Sequence, residues 1–552
     1  MSLPDSTPDI DVPVLVIGGS LVGLATSMFL AQHDVEVLSV EKHYGTAIHP
    51  RAGYFQLRTI ELMRVAGIED RVRAAALELY EPDGGLNAVE TLTGREIANY
   101  IPNINGGVAD VSPARRLFMP QQVLEPLLLE RAREFGARFQ YATEFAGYVQ
   151  DDDGVTATVR NVDDGSEQLI RARYMVACDG NRSPIRESLG IKMIGHGLMS
   201  RSVTIYFRAD CSVALRGRNL GVIYVNNPNV RGFFRLEKTG LGGFLVVFTV
   251  GDINQPGARY VADTITDEMA AQLVRDAVGD PDLEVNVLDV DKWRAVAEAA
   301  ATFQRGRIFL AGDAAHTMPP TGGFGGNTGI QDAHNIAWKL ALVLEGKAGP
   351  ALVDTYDQER QPAGAQAIEQ AYNRYVLRSD PDLGTEGMHE AIPDMHVEFN
   401  RYRSTAVLPD PGYVDDGVAD IDPRQSFGLP GTRAPHVELV GEGKPLSTLD
   451  LYVGDFVLIA GPDGAAWADA AKAVSADLGV NVVSHTVGGR VGNVVIAQAD
   501  ESAPSFPTAY GITRSGATLV RPDGYVAWRA ATYTADASDR LSTALRRVLA
   551  RS

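Results

Sequence analysis

Cysteine is nearly absent: Cys178 and Cys211 are the two in 552 residues. Two thiols cannot build a disulfide framework or a cysteine-rich zinc site, so a reducing cytoplasm and no metal centre are expected. Positive charge is in deficit. With 50 Lys and Arg against 70 Asp and Glu, the formal net charge is −20, and long-range repulsion argues against nucleic acid or an anionic membrane as partner. Long apolar runs are missing too: "FLVVFTV" at 244–250 is strand-length, far short of the roughly 20 residues of a membrane helix. The opening "MSLPDSTPDIDVP" has neither a basic nor an apolar stretch, so no secretory signal is expected. What is present is ordinary globular composition, 45% hydrophobic and 22% charged, on a chain long enough for two or three domains.

Glycine is plentiful, and its first cluster is informative. In "VLVIGGSLVGLATSMFLA", residues 14–31, an aliphatic run from Val12 to Ile17 reads as a parallel strand buried on both faces. Gly18 and Gly19 break it, and Leu21, Leu24, Ala25, Met28 and Phe29 recur at helical spacing. Gly23 permits close packing of helix on strand, and the helix N-terminus offers unpaired N–H groups to an anion. Ser20 stands where a dinucleotide fingerprint has its second glycine. The substitution is tolerable, because serine is the smallest replacement that can also donate a hydrogen bond to phosphate. A second strand, "VEVLSVE" at 35–41, ends in Glu41, about 20 residues past the glycine loop, where a carboxylate would hold a ribose. An ordinary βα unit with a tight turn remains the competing explanation at this stage.

Two later segments repeat the strand–loop–helix pattern. "YMVACDGNRSPIRESLG", 174–190, carries Asp179-Gly180 at a strand end, with Arg182, Ser183 and Arg186 beyond. "RIFLAGDAAHTMPPTGGFGGNTGIQDAHNIAWKLALVLE", 307–345, has a strand at Ile308–Leu310, Gly312-Asp313 at its end, and a proline- and glycine-rich turn into an amphipathic helix. With these three motifs in this order, residues 12 to about 375 resemble the single-component FAD-dependent aromatic hydroxylases, the family of para-hydroxybenzoate, phenol and aromatic polyketide hydroxylases.

The resemblance implies roles for particular positions. Gly18, Gly19, Ser20 and Gly23 would face the FAD pyrophosphate. Glu41, with Lys42 beside it, would hold the adenosine ribose. Arg51 in "HPRAG" and Gln121 in "MPQQVLEPLLLE" would contact the ribityl-phosphate region. Asp179 and Gly180 would serve FAD and NAD(P)H handling, and Gly312-Asp313 the ribitol. Gly325, Gly326 and Asn327 would meet the flavin ring through backbone N–H groups, with Pro320 beside its reactive edge. Pro320, Gly326 and Asn327 are thus the catalytic candidates. Duller alternatives stay open: Asp179 and Asp313 as helix N-caps, Arg51 and Gln121 as surface groups, Arg182 and Arg186 as solvated charges rather than a nicotinamide-phosphate site. His316 reads as structural or exposed, His334 as the polar side of its helix, and Cys178 as a small core residue.

The expected fold is α/β: a Rossmann-like FAD domain over 1–194 and 291–376, an inserted antiparallel β substrate domain over 195–290, a linker over 377–429, and a thioredoxin-like domain without cysteines over 430–552. In the resembled family the inserted sheet roofs the substrate. Tyr206, Tyr224, Phe233, Phe234, Phe244 and Phe248 are candidates for its lining, and Tyr224, Phe234 and Trp293 are chosen. No substrate-deprotonating base is assigned. Residues 350–376 read as two helices broken at Pro362. The implied activity is hydroxylation of an aromatic, polyketide-type phenol or quinone, with NADPH or NADH and O₂, through a flavin C4a-hydroperoxide, by a monomer or homodimer. The rivals are an oxidase or reductase of the same fold without oxygen insertion, and a non-catalytic escort protein.

Overall fold

The computed structural model describes residues 7–49, 51–441, 443–491, 494–498 and 504–551. The aliphatic opening run forms the strand Ile10–Ile17, with Val14, Leu15 and Val16 wholly buried. It lies between two parallel neighbours, Glu167–Ala177 and Val37–Val40; Ile308–Leu310 and Arg138–Gln140 extend the parallel sheet on either side. Register fixes what matters for function. Ile17 pairs with both Ala177 and Val40, and Ala177 pairs with Leu310. The strand ends are therefore level, and the loops at Gly18, Asp179, Glu41 and Gly312 stand side by side at the carboxyl edge, where open α/β sheets bind ligands.

A second, largely antiparallel sheet has the order His316–Thr317, Asn286–Ala300, Met193–Arg208, Gly242–Val250, Val230–Leu236, Leu220–Asn226, Gly85–Val89, Glu96–Ile101. It reaches beyond the expected 195–290 at both ends: Gly85–Val89 joins in parallel to Leu220–Asn226, and Asn286–Ala300 pairs with Met193–Arg208 over nearly its whole length. Strand alternation gives the sheet two faces. Val203, Ile205, Phe207, Ile223, Phe234, Leu245 and Val247 pack with the helix Asp267–Val278. Tyr206, Phe244, Val246, Phe248 and Ala295 face the other way, toward Ile368 and Tyr375 of the helix Thr355–Ser379.

That helix is continuous through Pro362, not broken there. Proline deletes one backbone bond and costs about 3 kcal/mol in a helix interior. The turn before it is pinned by buried charge pairs: Glu359 with Lys339 and Arg521, and Arg360 with Asp332. These contacts fix the turn that the lost bond would have spanned.

The C-terminal unit holds a four-stranded sheet, order Val482–Thr486, Phe456–Ala460, Ala517–Val520, Val526–Ala530, backed by the helices Trp467–Leu478 and Ala537–Val548. Its core is continuous with that of the parallel-sheet domain, and the Trp338 ring meets Phe456 edge-on at 6.1 Å. The hairpin turn after Ala517–Val520 drives charge into the junction. Arg521 binds Glu359 in two-pronged fashion at 2.6 and 2.9 Å and also grips Asp523, while Lys339 Nζ lies 2.8 Å from the same Glu359. All four side chains are buried, two cations against two anions. Among the described residues no helix is long and apolar enough to cross a membrane.

Removing one partner from such a cluster leaves an uncompensated buried charge. Arg521→Leu is expected to cost about 3–5 kcal/mol of unfolding free energy, measured by denaturant titration. Burial also pushes His33 and His436 down to about 4 and lowers His334 well below its ordinary value. The unfolded chain binds protons near 6.5 that the fold refuses. Stability contributed by these groups is full above pH 6.5 and is lost as pH falls toward 4; melting temperature against pH checks this.

Candidate active site

Three glycines at the first loop are required by close approach. Gly18 has φ +107°, and a Cβ there would fall 2.3 Å from the Cys178 carbonyl oxygen; one on Gly23 would fall 1.8 Å from the Gly18 oxygen, and one on Gly19 2.7 Å from Glu41 Cβ. Ser20 is the N-cap of the helix Leu21–Gln32 but its side chain makes no cap bond. Its hydroxyl donates to Glu125 Oε1 at 2.6 Å. Backbone N–H groups of the helix's first turn remain for an anion. Glu41 accepts the Gly19 N–H at 2.6 Å and the His43 N–H at 2.9 Å, which sets the carboxylate at the crevice rim; Lys42 beside it is exposed.

At the second loop, Ser183 caps the short helix Pro184–Ser188. Asp179 accepts a 3.3 Å bond from Ile185 N, and its other oxygen, Oδ1, is buried without a partner. Burial raises its carboxyl above the ordinary range. Gly180 is left-handed, φ +83°, with open space where a Cβ would be. Arg186 is not free for a nicotinamide phosphate: it is buried and donates to the Ala314 and Asn181 carbonyls, stapling the second loop to the third. Arg182 is exposed.

The third loop turns at Gly312, φ +61°, where a Cβ would meet Val22 at 2.7 Å. Asp313 lies inside the turn Gly312–Ala314 rather than capping a helix. Its carboxyl opens to the crevice, yet the protein packed around it raises its pKa, with His316 and Arg51 pulling the other way. Asp332, wholly buried, holds this loop from behind. It accepts the Gly312 N–H at 3.1 Å, meets His316 Nε2 at 2.7 Å and receives Arg360 Nε at 2.8 Å. His316 is therefore a buried structural residue. His334 is buried as well, edge-on to Phe29, and not on a polar helix side.

Gly322 (φ +91°) and Gly323 (φ +67°) turn the chain into the helix Phe324–Leu344, and the Gly323 N–H bonds the carbonyl of the exposed Pro320 at 3.0 Å. Gly325 and Gly326 fall in the first turn, whose N–H groups have no intrahelical acceptor. Gly326 packs against Leu21 and Ala52. The Asn327 side chain is fully engaged, donating to the Tyr54 and Gly323 carbonyls and accepting from Gln56 N and the Thr59 hydroxyl; its backbone alone is available. Gln121 is buried, not a surface group: it bonds Ala52 in both directions, and its Nε2 reaches Ser20 Oγ at 3.0 Å. Arg51 is exposed at the rim.

Above these loops the second sheet presents an aromatic wall. Tyr224 lies among Tyr100, Phe233 and the Arg378 guanidinium, and Trp293 is edge-on to Phe248 with Nε1 bonded to Thr204 at 3.1 Å. Phe234 is a correction. It points away from this wall, wholly buried against Phe207 in the core beneath the Asp267 helix, because Phe233 takes the wall face and neighbours alternate. Arg235, in phase with Phe233, was missed. Its guanidinium lies over Phe118 (4.6 Å) and Tyr80 (5.6 Å), with Nε and Nη1 buried and unpaired, and a Cβ on Gly53 would fall 2.4 Å from Nη1. Burial pushes it down to about 10. An anion brought to this wall would compensate it. The alternation that misplaced Phe234 was also the signal for Arg235. Phe234→Ala is expected to cost about 3–5 kcal/mol of stability and Phe233→Ala less, compared by denaturant titration.

Residues 11–371 match the family model described as FAD binding domain, and 428–552 that described as aromatic-ring hydroxylase, C-terminal. The chain is 49% identical over 550 residues, 99% of both proteins, to a 4-methyl-5-nitrocatechol 5-monooxygenase of Burkholderia sp. It is 40% identical to a tetracenomycin A2 monooxygenase-dioxygenase of Streptomyces glaucescens, over 98% of this chain and 97% of that one. A crystal structure of an aklavinone-11 hydroxylase with FAD and aklavinone superposes with TM-score 0.90 at 37% identity, covering 99% of this chain and all of the other. With its Rossmann-like domain, β-rich roof and thioredoxin-like C-terminal unit, the chain belongs to the FAD-dependent aromatic-ring hydroxylases and is a flavoprotein monooxygenase.

Proposed function

We propose that the chain hydroxylates an electron-rich phenol or quinone of the polycyclic polyketide type, with NADPH or NADH as electron donor and O₂ as the oxygen source. The observation that carries this reading is the convergence of three glycine loops, an open Asp313 and the Phe324 helix N-terminus beneath a wall of aromatic rings. The residues fit FAD. Backbone N–H groups after Gly18 and Gly19 take the pyrophosphate, Glu41 the adenosine ribose, and Asp313 the ribitol hydroxyls. Asp179, with its orphaned oxygen, takes a donor from the cofactor or the nicotinamide. Bound FAD supplies the electron transfer and oxygen activation.

The protein's own share is positioning and electrostatics. First-turn N–H groups at Gly325, Gly326 and Asn327 stabilise negative charge on the ring without reorganising. Arg235 does the same from the roof, for the ring or for an ionised phenol. Pro320 and its rigid turn to Gly323 hold one wall, and Tyr206, Tyr224, Phe233, Phe248 and Trp293 orient a flat substrate and exclude water. The lone thiols and acidic surface suit a cytoplasmic enzyme. A second substrate, a nitrocatechol, is favoured by the 49% identity to the Burkholderia monooxygenase.

Asp313→Ala is expected to give folded protein that purifies depleted of flavin; full occupancy would remove its assigned role. For the activity, anaerobic titration with NADPH or NADH is followed by flavin absorbance, with a hydroxyanthraquinone, 4-methyl-5-nitrocatechol or neither present. Bleaching is expected to be faster with the anthraquinone. Acceleration by the nitrocatechol alone would transfer the assignment to the single-ring substrate, and indifference to both would refute substrate-gated reduction by either class.

A further inference from the structure

Glu125 lies one turn along the helix Gln121–Glu134 from Gln121, and it is wholly buried. Three donors converge on its carboxylate: the Ser20 hydroxyl and the Gln121 amide, each 2.6 Å from Oε1, and the Ala47 N–H, 2.6 Å from Oε2. Among the described residues no lysine, arginine or histidine is paired with it. A buried anion beside the place where a doubly charged pyrophosphate docks opposes that ligand. Its value lies in what it holds together. Ser20 opens the helix Leu21–Gln32, Ala47 belongs to the stretch that leaves Glu41 along the crevice rim, and Gln121 grips Ala52 next to Arg51. These three pieces of chain come from distant parts of the sequence and border the same crevice.

The arrangement also explains the serine. With its hydrogen donated to Glu125 and an Oγ lone pair occupied by Gln121 Nε2, the hydroxyl is engaged within the protein. The phosphates are left to the backbone N–H groups, as they would be with glycine. We propose that Glu125 is the positioning residue of the pyrophosphate turn: it withdraws the Ser20 hydroxyl and fixes the rim stretch and Gln121 around the cofactor, so that serine is tolerated at a glycine position. This rests on the cofactor-site reading above.

The test is FAD binding to apoprotein prepared from the holoenzyme, followed by quenching of flavin fluorescence. The variants are Glu125→Gln, Glu125→Ala, Ser20→Gly and the double variant Ser20→Gly/Glu125→Ala, with the apoprotein Tm of each. Glu125→Ala is expected to weaken FAD about tenfold or more, and Glu125→Gln, which keeps volume and one acceptor, by less. In the Ser20→Gly background the loss shrinks several-fold, because the Ser20–Glu125 hydrogen bond that fixes the turn is already absent there. The ³¹P resonances of bound FAD shift in Glu125→Ala but not in Phe234→Ala, which lowers Tm by a remote core defect. If Glu125→Ala fails to fold, Glu125→Gln carries the same comparison. Unchanged or tighter FAD binding in the Glu125 variants, or costs that simply add with Ser20→Gly, would overturn the proposal. Wild-type apoprotein that takes up no FAD would instead overturn the cofactor-site reading beneath it.

Discussion

The parallel register of the Ile10, Glu167 and Ile308 strands is the constraint on which the rest of the molecule depends. Parallel strands need crossovers, so neighbours in the sheet are far apart in sequence. When Ile17, Ala177 and Leu310 are level, three loops separated by well over a hundred residues share one edge. A slip of one residue would turn every side chain to the opposite face and break the approach of Gly18 to the Cys178 carbonyl. The crevice follows from hydrogen-bond geometry before any side chain touches a ligand.

Charge burial does the second part of the work. Asp332 holds the Gly312 loop, and Arg360 pairs with Asp332. Arg360 also reaches the Tyr402 hydroxyl, whose ring stacks on Tyr525 of the C-terminal unit at 4.0 Å. One residue earlier, Glu359 takes Arg521 of that unit. Ions removed from water must be paired, so these contacts tie the C-terminal unit to the helices behind the cofactor loops. It is a structural neighbour of the crevice rather than an appendage, and the absence of cysteine from it leaves no thiol chemistry there.

The aromatic wall and the loops contribute different things. The wall supplies flat apolar surface and the uncompensated Arg235; the loops supply fixed N–H donors and acceptor carboxylates. Under the proposed function, negative charge developing between them would meet donors and a cation already in place, without reorganisation at the moment of reaction.

The sequence by itself determined the strand–loop–helix units, the glycine cluster that breaks the first strand, the C-terminal hairpin and the aromatic sheet, because each is encoded in local periodicity and in residues with few conformational options. It also carried the resemblance that named the family. Tertiary structure decided the rest. Whether Phe233 or Phe234 faces the ligand depends on strand phase, which a run of two phenylalanines leaves open. Whether Pro362 breaks a helix depended on charge pairs at Glu359 and Arg360, one of them to a residue some 160 positions away. Which acceptor the Ser20 hydroxyl finds within the protein depends on Glu125, distant in sequence, to which it donates a hydrogen bond. Arg186, open in sequence to a solvated or a phosphate-binding role, is a buried brace between two loops, and His316, structural or exposed by its sequence, is a buried brace on Asp332. In each case the deciding partner is remote in the chain, and long-range pairing of polar groups leaves no periodic trace in the sequence around either member.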